Sequence, residues 1–517
     1  MVFGAQRRRQ HPGFPAGRPG ATVAGVKGFI GSAGLILLCV SVGLAGLGIQ
    51  GESDLVRLHR QANEAQQAGD FRKAAENYER LAALRPDIAE VHASLGYVYR
   101  LLGKKEQALS AFGRAARLKP GLPGPHLYLG ILFFESSRYE EALQPLKKAL
   151  ALKPDPQIHR YLGFVYQARS SFLDALPHLE EALAADEKDG EIRYHLNRCY
   201  AHLARRFHSD LERKFPDSFY AHLARGHFHI TTQNWELARK EYAEALKVRP
   251  QEKRLPQRIR WLNERASGVA APLDSGPEDD LIDGVIRFLD APPAAAIGKE
   301  FEHYRARAHR LRSSDSASAE ELYLLAEGYQ ILSLLSSFAL QAGPDPYWDH
   351  LLKAESYEEL GDLEGAIRKY RAAFALRPSL RRLQLAIGEL EWRLRRYDEA
   401  LPALQEGLKS HPDHSPAVYQ IGDIMFMKGK VEQAEGHFLK ALELDPGMVD
   451  AHLGLERLYA AQGQYQKSLG YLRKALEITP ADASLHYKAS TTYLKLGQKE
   501  EAEKALRIFR ELKHQER

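Results

Sequence analysis

The chain has 517 residues, of which 44% are hydrophobic and 27% charged, an ordinary balance that excludes disorder throughout. Its formal charge of +5 comes from Arg7, Arg8, Arg9, Arg18 and Lys27, all ahead of the first acid, Glu52; from there on 67 bases meet 67 acids, which argues against non-specific nucleic-acid binding. The two cysteines, Cys39 and Cys199, are too few for a disulfide framework, a zinc finger or a CxxC redox site.

Residues 1–27 are basic and rich in Pro and Gly, and are expected to form an unstructured cytosolic segment. Residues 28–49 are 22 positions without a charge, and at ~1.5 Å per helical residue they could cross a hydrocarbon core of ~30 Å. The upstream charges orient such a helix with its N-terminus in the cytosol. The expectation is therefore a single-pass cell-membrane protein with its body on the non-cytosolic side, partnered with the membrane through this helix. The alternative is a signal sequence cleaved near Ala45, giving a periplasmic or secreted protein.

Beyond it, prolines recur in steps of 34 residues: Pro86, Pro120 and Pro154; Pro216 and Pro250; Pro378, Pro412, Pro446 and Pro480. Between them His92, Leu95, Gly96 and Tyr99 fall at helical spacing, Gly103 breaks the helix, and Ala108, Phe112 and Ala115 form a second apolar stripe. The unit reads as a helical hairpin. Small residues at Gly96 and Ala108 let its two helices approach closely, and stacking on the next unit buries what one hairpin leaves exposed.

Size, step and terminal proline together resemble the tetratricopeptide repeat, a hairpin that stacks into a superhelix with a concave groove. The resemblance implies an all-α solenoid of about twelve units in two arrays, residues 55–250 and 319–517. Between them lies a linker, 251–318, with one or two helices, including LIDGVIRFLDA. The units from Gly190 and Ala319 are short, at 29 and 28 residues, and each precedes a full unit with similar opening text, PDSFYAHL and PDPYWDHL, as if a module had been duplicated. Glu187 replaces a terminal proline, and Glu456 stands where a small residue is expected.

Chemistry is sparse. His92, His126, His159, His222, His350, His452 and His486 share the fourth place of their units and read as structural. His222, His227 and His229 lack the carboxylate pattern of a metal site. No phosphate-cradling glycine loop, dinucleotide fingerprint or nucleophile elbow occurs, so neither an enzyme nor a cofactor is expected.

The resemblance implies a concave face built from the first helices. Its ninth place reads Tyr97, Ile131, Phe164, Arg198 and His227 in the first array, and Glu355, Glu389, Asp423, Arg457 and Thr491 in the second. Three places on stand Arg100, Phe134 and Gln167, then Glu358, Trp392 and Phe426. Tyr97, Phe134 and Phe164 suit an apolar segment. Glu355, Glu358, Glu389, Trp392, Asp423 and Phe426 suit a Lys/Arg-containing peptide. The alternative is that the acids form a solvated face and the aromatics pack between units. A carboxylate clamp is not expected, because Phe164 and Ala224 occupy places that would need cations beside Arg160.

The function expected is a scaffold or assembly factor holding protein segments, without nucleic acid. Rivals are a specialised chaperone for an exported cytochrome, pilus or outer-membrane component, or a substrate-recruiting arm of a glycosyltransferase-like enzyme.

Overall fold

A computed structural model describes residues 50–231, 234–253, 255–267, 305–306 and 318–515. Among them are 23 α-helices and no strand. The chain divides into two compact units at Asp345/Pro346.

The first unit contains four successive hairpins: α1 (Gln50–Gln67) with α2 (Phe71–Leu84), α3 (Ala89–Leu101) with α4 (Lys105–Leu118), α5 (Pro123–Glu135) with α6 (Tyr139–Leu152), and α7 (Pro156–Ala168) with α8 (Phe172–Ala185). Local chemistry accounts for the turns. Gly103 adopts φ 74°, a left-handed geometry that costs glycine little, and Ser137 and Ser170 take the same corner at φ 59°. Close approach explains the other small residues. A Cβ on Gly130 would lie 2.4 Å from Leu146 Cγ, so only glycine lets α5 meet α6 at this spacing.

Next come α9 (Gly190–Lys214), α10 (Phe219–Thr231), α11 (Trp235–Val248), α12 (Leu255–Ala266) and α13 (Ala319–Gln341). Here the structure departs from expectation. The two short units are not hairpins at all: α9 and α13 are single helices of 25 and 23 residues that pair with each other. They run antiparallel, since Arg193 meets Ser336, Asn197 meets Ser333, and Phe207 meets Tyr329. Tyr200 and Tyr329, each the eleventh residue of its helix, stack at 6.1 Å, as a local two-fold relation between duplicated segments requires. Helix α13 thus serves as the second helix of the unit that α9 opens, and it belongs to the first unit rather than to a second array starting at 319.

The reason lies in the eighth place of α9. Gly96, Gly130, Gly163 and Gly226 hold that place elsewhere; here it is Asn197, whose Nδ2 donates to the Ser333 carbonyl (2.6 Å) and the Ser337 hydroxyl (2.8 Å). Ser336 donates to the Arg193 carbonyl at 3.1 Å. Such buried polar contacts fix register and exclude an apolar partner helix.

Helix α12 follows a non-helical stretch at 249–253 and packs back through Trp261 on Trp235, ring centroids 6.0 Å apart. The segment LIDGVIRFLDA lies outside the described residues.

The second unit is five hairpins: α14 (Pro346–Glu359) with α15 (Leu363–Leu376), α16 (Arg382–Arg393) with α17 (Tyr397–Leu408), α18 (Ser415–Met427) with α19 (Val431–Leu444), α20 (Val449–Ala461) with α21 (Tyr465–Ile478), and α22 (Ala483–Lys495) with α23 (Lys499–Gln515). The described residues thus hold eleven helix pairs and one further helix, α12. Duplication is visible in side chains too. Arg249 lies 4.5 and 4.7 Å from the Phe219 and Tyr220 rings, and Arg377 lies 4.1 and 5.0 Å from Tyr347 and Trp348. Glu456 is buried where the neighbouring units carry Gly422 and Ser490, and it accepts from Ser468, which stands where those units carry Ala434 and Ala502.

The membrane placement is corrected. No helix of the described residues is long and apolar enough to cross a membrane; the two longest, α9 and α13, spend their length on each other. Residues 1–27 and 28–49, with Cys39 and the Ala45 cleavage point, lie outside the described residues. Neither a membrane partner nor a non-cytosolic body is retained.

Candidate functional site

The fourth-place histidines close helix ends. Nε2 of His92, His126 and His452 lies 3.1 Å from the carbonyl of Pro86, Pro120 and Pro446, and that of His486 lies 2.8 Å from Pro480. A carbonyl only accepts, so at Pro120, Pro446 and Pro480 the ring donates from Nε2 to an orphan group at the end of the preceding helix; at Pro86 it is Arg114 that donates, to the carbonyl at 3.1 Å and to His92 Nε2 at 3.1 Å. In α9 an arginine does this work: Arg193 reaches the carbonyl of Glu187, the residue that replaced the proline. Where the second helix offers a partner the ring turns to it instead. His222 meets Glu241 at 2.8 Å, and His159 meets His178 with Nδ1 atoms 3.0 Å apart. His227 pairs with Glu327 of α13 at 3.1 Å, both buried, so the three clustered histidines do not converge.

The first unit's aromatic row is consumed by packing, which corrects the expectation of an open apolar groove there. Phe134 and Phe164 are each 5% exposed and lie 6.0 Å apart; Phe164 continues to His195 at 4.3 Å. Tyr97 is half-buried, edge-on to Tyr128 at 5.5 Å, and burial raises the Tyr128 hydroxyl to about 12. Ile131 is buried, and buried Gln167 accepts from His195 Nδ1 at 2.6 Å. Arg100 binds Glu135 at 2.8 Å, and Arg160 binds Asp189 and Glu191. These side chains join units; they do not present a surface.

The second unit differs. Its first helices α14, α16, α18, α20 and α22 lie side by side, and cross-unit bonds show their ninth and twelfth places forming one row. Trp392 Nε1 donates to Asp423 at 2.8 Å, Asp423 also binds Arg457, and Arg457 covers the Phe426 ring at 4.8 Å. Arg393 reaches back to Glu358 at 3.4 Å, and Lys488 to Glu456 at 3.4 Å. Asp423 is therefore spoken for. Only 6% exposed, it is a brace between units and not a free acid of the groove. Glu355, Glu358, Glu389, Trp392 and Phe426 are partly exposed; Glu358 binds Arg393, and Phe426 lies under Arg457.

Sequence reasoning missed two groups. Tyr419, in the fifth place, lies edge-on to Trp392 at 6.2 Å, and its hydroxyl is pushed well above the usual range by burial and then by Asp423. Met427, Tyr487 and Leu494 are 53%, 51% and 58% exposed on α18 and α22. The fifth and thirteenth places, and the twelfth place of the last unit, would have revealed them had they been read alongside the ninth.

Family models for the tetratricopeptide repeat match residues 59–123, 351–415, 385–449, 419–483 and 459–515. Protein O-mannosyl-transferase TMTC2 from Homo sapiens is 37% identical over 93 residues, which are 17% of this chain and 11% of that protein. The chain thus spans about a tenth of this relative. Among solved structures, MamA is 21% identical, covering 32% of this chain and 92% of its own with a TM-score of 0.30. The anaphase-promoting-complex assembly Cut9–Hcn1 is 16% identical, covering 89% and 94% with a TM-score of 0.32. YrrB, described as a tetratricopeptide-repeat protein with an unusual peptide-binding site, is 20% identical over 32% and 84% with a TM-score of 0.28.

Proposed function

We propose, from the premise that the chain is a tetratricopeptide-repeat protein, that it is a protein-interaction scaffold whose second unit holds segments of other proteins on the face formed by α14, α16, α18, α20 and α22. One observation carries this reading: Trp392 and Phe426 stay partly exposed, whereas Phe134 and Phe164 of the first unit are buried. Glu355 and Glu389 beside Trp392 favour a partner bearing Lys or Arg, through charge steering and contact of the cation with the indole. Exposed ion pairs add only about 0.2–1 kcal/mol each, so affinity would rest on the aromatics and on several units acting together.

The test compares the full chain with Glu355→Lys/Glu389→Lys by in-cell cross-linking and by binding at low and high salt. Loss of a set of partners, with a flatter salt dependence, is the expected result. An unchanged partner set with unchanged salt dependence refutes it. Asp423 is left intact because its loss would strip Arg457 and Trp392 of their partner.

A role in assembling a particular complex, as a scaffold or as a specialised chaperone, would be exercised through this same face. The reading as a recruiting arm of a glycosyltransferase-like enzyme is favoured only by the TMTC2 match, which covers 17% of this chain. Copurifying sugar-transfer activity that tracks the chain would revive it.

A further inference from the structure

The register of the repeat shows what the last hairpin, α22 with α23, leaves uncovered. At the twelfth place, α16 and α18 are met by the unit after them: Tyr419 lies against Trp392, and Arg457 covers Phe426. Leu494 holds that place in α22 and is more than half exposed. At the twenty-fourth place Leu404, Phe438 and Leu472 are buried, Leu472 in one cluster with Leu485 and Ala489 of the following helix α22. Its counterpart in α23, Leu506, stays partly exposed. The twenty-seventh place reads Ala373, Gly407, Ala441 and Ala475, all buried, and then Phe509. Ala475 belongs to the cluster with α22, so a small side chain there lets the next helix approach. The Phe509 ring, packed 5.3 Å from that of Tyr487, fills this space instead. The end of α22 and α23 is apolar, yet it does not admit a further hairpin in the register of the repeat.

Charge along α23 indicates what covers it. Residues 499–506 hold three acids against two bases, and residues 507–515 three bases against one acid, so the helix complements itself when reversed. Glu503 and Arg510 share a helix face with Leu506, at steps of three and four residues, and stand at equal distances on either side of the Leu506–Arg507 midpoint. A second α23 laid antiparallel across a two-fold axis at that midpoint sets Glu503 of each copy opposite Arg510 of the other. We propose that this end binds a second copy of the chain in that arrangement, with Leu494, Leu506 and Phe509 buried between the two. The inference goes beyond the scaffold reading and does not depend on it. Helix α23 has 17 residues and is about 25 Å long, and α22 beside it makes a patch roughly 20 Å wide. That is about 500 Å² per copy, against about 800 Å² in a standard stable interface, so the dimer is reversible and forms at roughly micromolar concentration.

Sedimentation velocity of the full chain from about 1 to 100 μM tests this. The mean mass is expected to rise from one copy towards two. Glu503→Arg and Arg510→Glu each set like charges against one another and should weaken association about ten-fold. The double variant Glu503→Arg/Arg510→Glu restores opposite charges across the axis and should recover it. Leu494→Glu buries a carboxylate in the apolar part and should abolish association. Glu503, Arg510 and Leu494 are exposed in the single copy, so circular dichroism should show an unchanged fold for every variant. A monomer throughout the range overturns the proposal. So does self-association that Leu494→Glu leaves unchanged, which would place the contact elsewhere, residues 28–49 included. Mass rising past two copies, or a double variant that fails to recover what the single variants lose, overturns the two-fold antiparallel arrangement.

Discussion

Replacing Asn197 with alanine tests whether one repeat really is assembled from distant segments. The substitution removes the bonds to the Ser333 carbonyl and the Ser337 hydroxyl, at 2.6 and 2.8 Å, from a site buried between α9 and α13. At about 1 kcal/mol for each net hydrogen bond, plus a small cavity, the joint should lose about 2–3 kcal/mol. Each 1.36 kcal/mol is a factor of ten, so amide exchange should accelerate roughly 30- to 150-fold where the joint opens. Hydrogen exchange read by mass spectrometry should show that acceleration in Ala319–Gln341 and Gly190–Lys214. Helices α1–α4, whose side chains form an apolar cluster of their own, should keep wild-type protection. Unchanged exchange across 319–341 would mean that α13 is not held by α9, and the discontinuous repeat would fall.

Three further outcomes follow from packing and burial. Gly130→Ala drives a Cβ into Leu146 and should destabilise the protein by about 1–2 kcal/mol after the gain in helix propensity; Gly328→Ala meets nothing within 4 Å and should stabilise α13 by up to about 1 kcal/mol, both read as shifts of the urea midpoint. Burial, followed by His159 and Lys147, lowers His178 to about 4 from its ordinary 6.5, so the unfolded chain takes up this proton first. Its contribution is whole above pH 6.5 and is lost as pH falls towards 4, about 1–2 kcal/mol once screening of the part-exposed ring is allowed for; His178→Gln should reduce that loss in urea titrations across the window, and an identical pH dependence would refute it. Burial raises the Cys199 thiol far above its usual range, so iodoacetamide should modify it only after denaturation, with native-state labelling at a free-thiol rate as the contrary result.

Much of the fold could be read in advance, because each repeat is stabilised by contacts of short sequence range. A proline every 34 residues, a glycine at the eighth place and an alanine at the twentieth encode a hairpin locally. What escaped was the pairing of Gly190–Lys214 with Ala319–Gln341, since a periodic reading supplies each first helix with the segment that follows it. Asn197 was the available clue: a polar side chain in the glycine place demands a polar partner, and Ser333 answers it 136 residues later. The site was half legible. Its acids and Trp392 were in view, but Asp423 became a brace only when Arg457 of the next unit was placed beside it, and Phe134 and Phe164 were lost to the interface between units. A ninth-place residue reaches its neighbour's helix as easily as it reaches the groove, and one chain of letters does not distinguish the two directions.

The split repeat also sets a clock on biosynthesis. Helix α9 is complete once Lys214 has been made, yet the strip of Tyr200 and Phe207 that α13 covers must wait until Gln341 emerges, 127 residues later. At roughly 5–20 residues per second this is about 6–25 s, far longer than a local helical hairpin needs to close. During that interval the nascent chain leaves uncovered the apolar strip that α13 will bury, which a holding chaperone or a neighbouring nascent copy could engage.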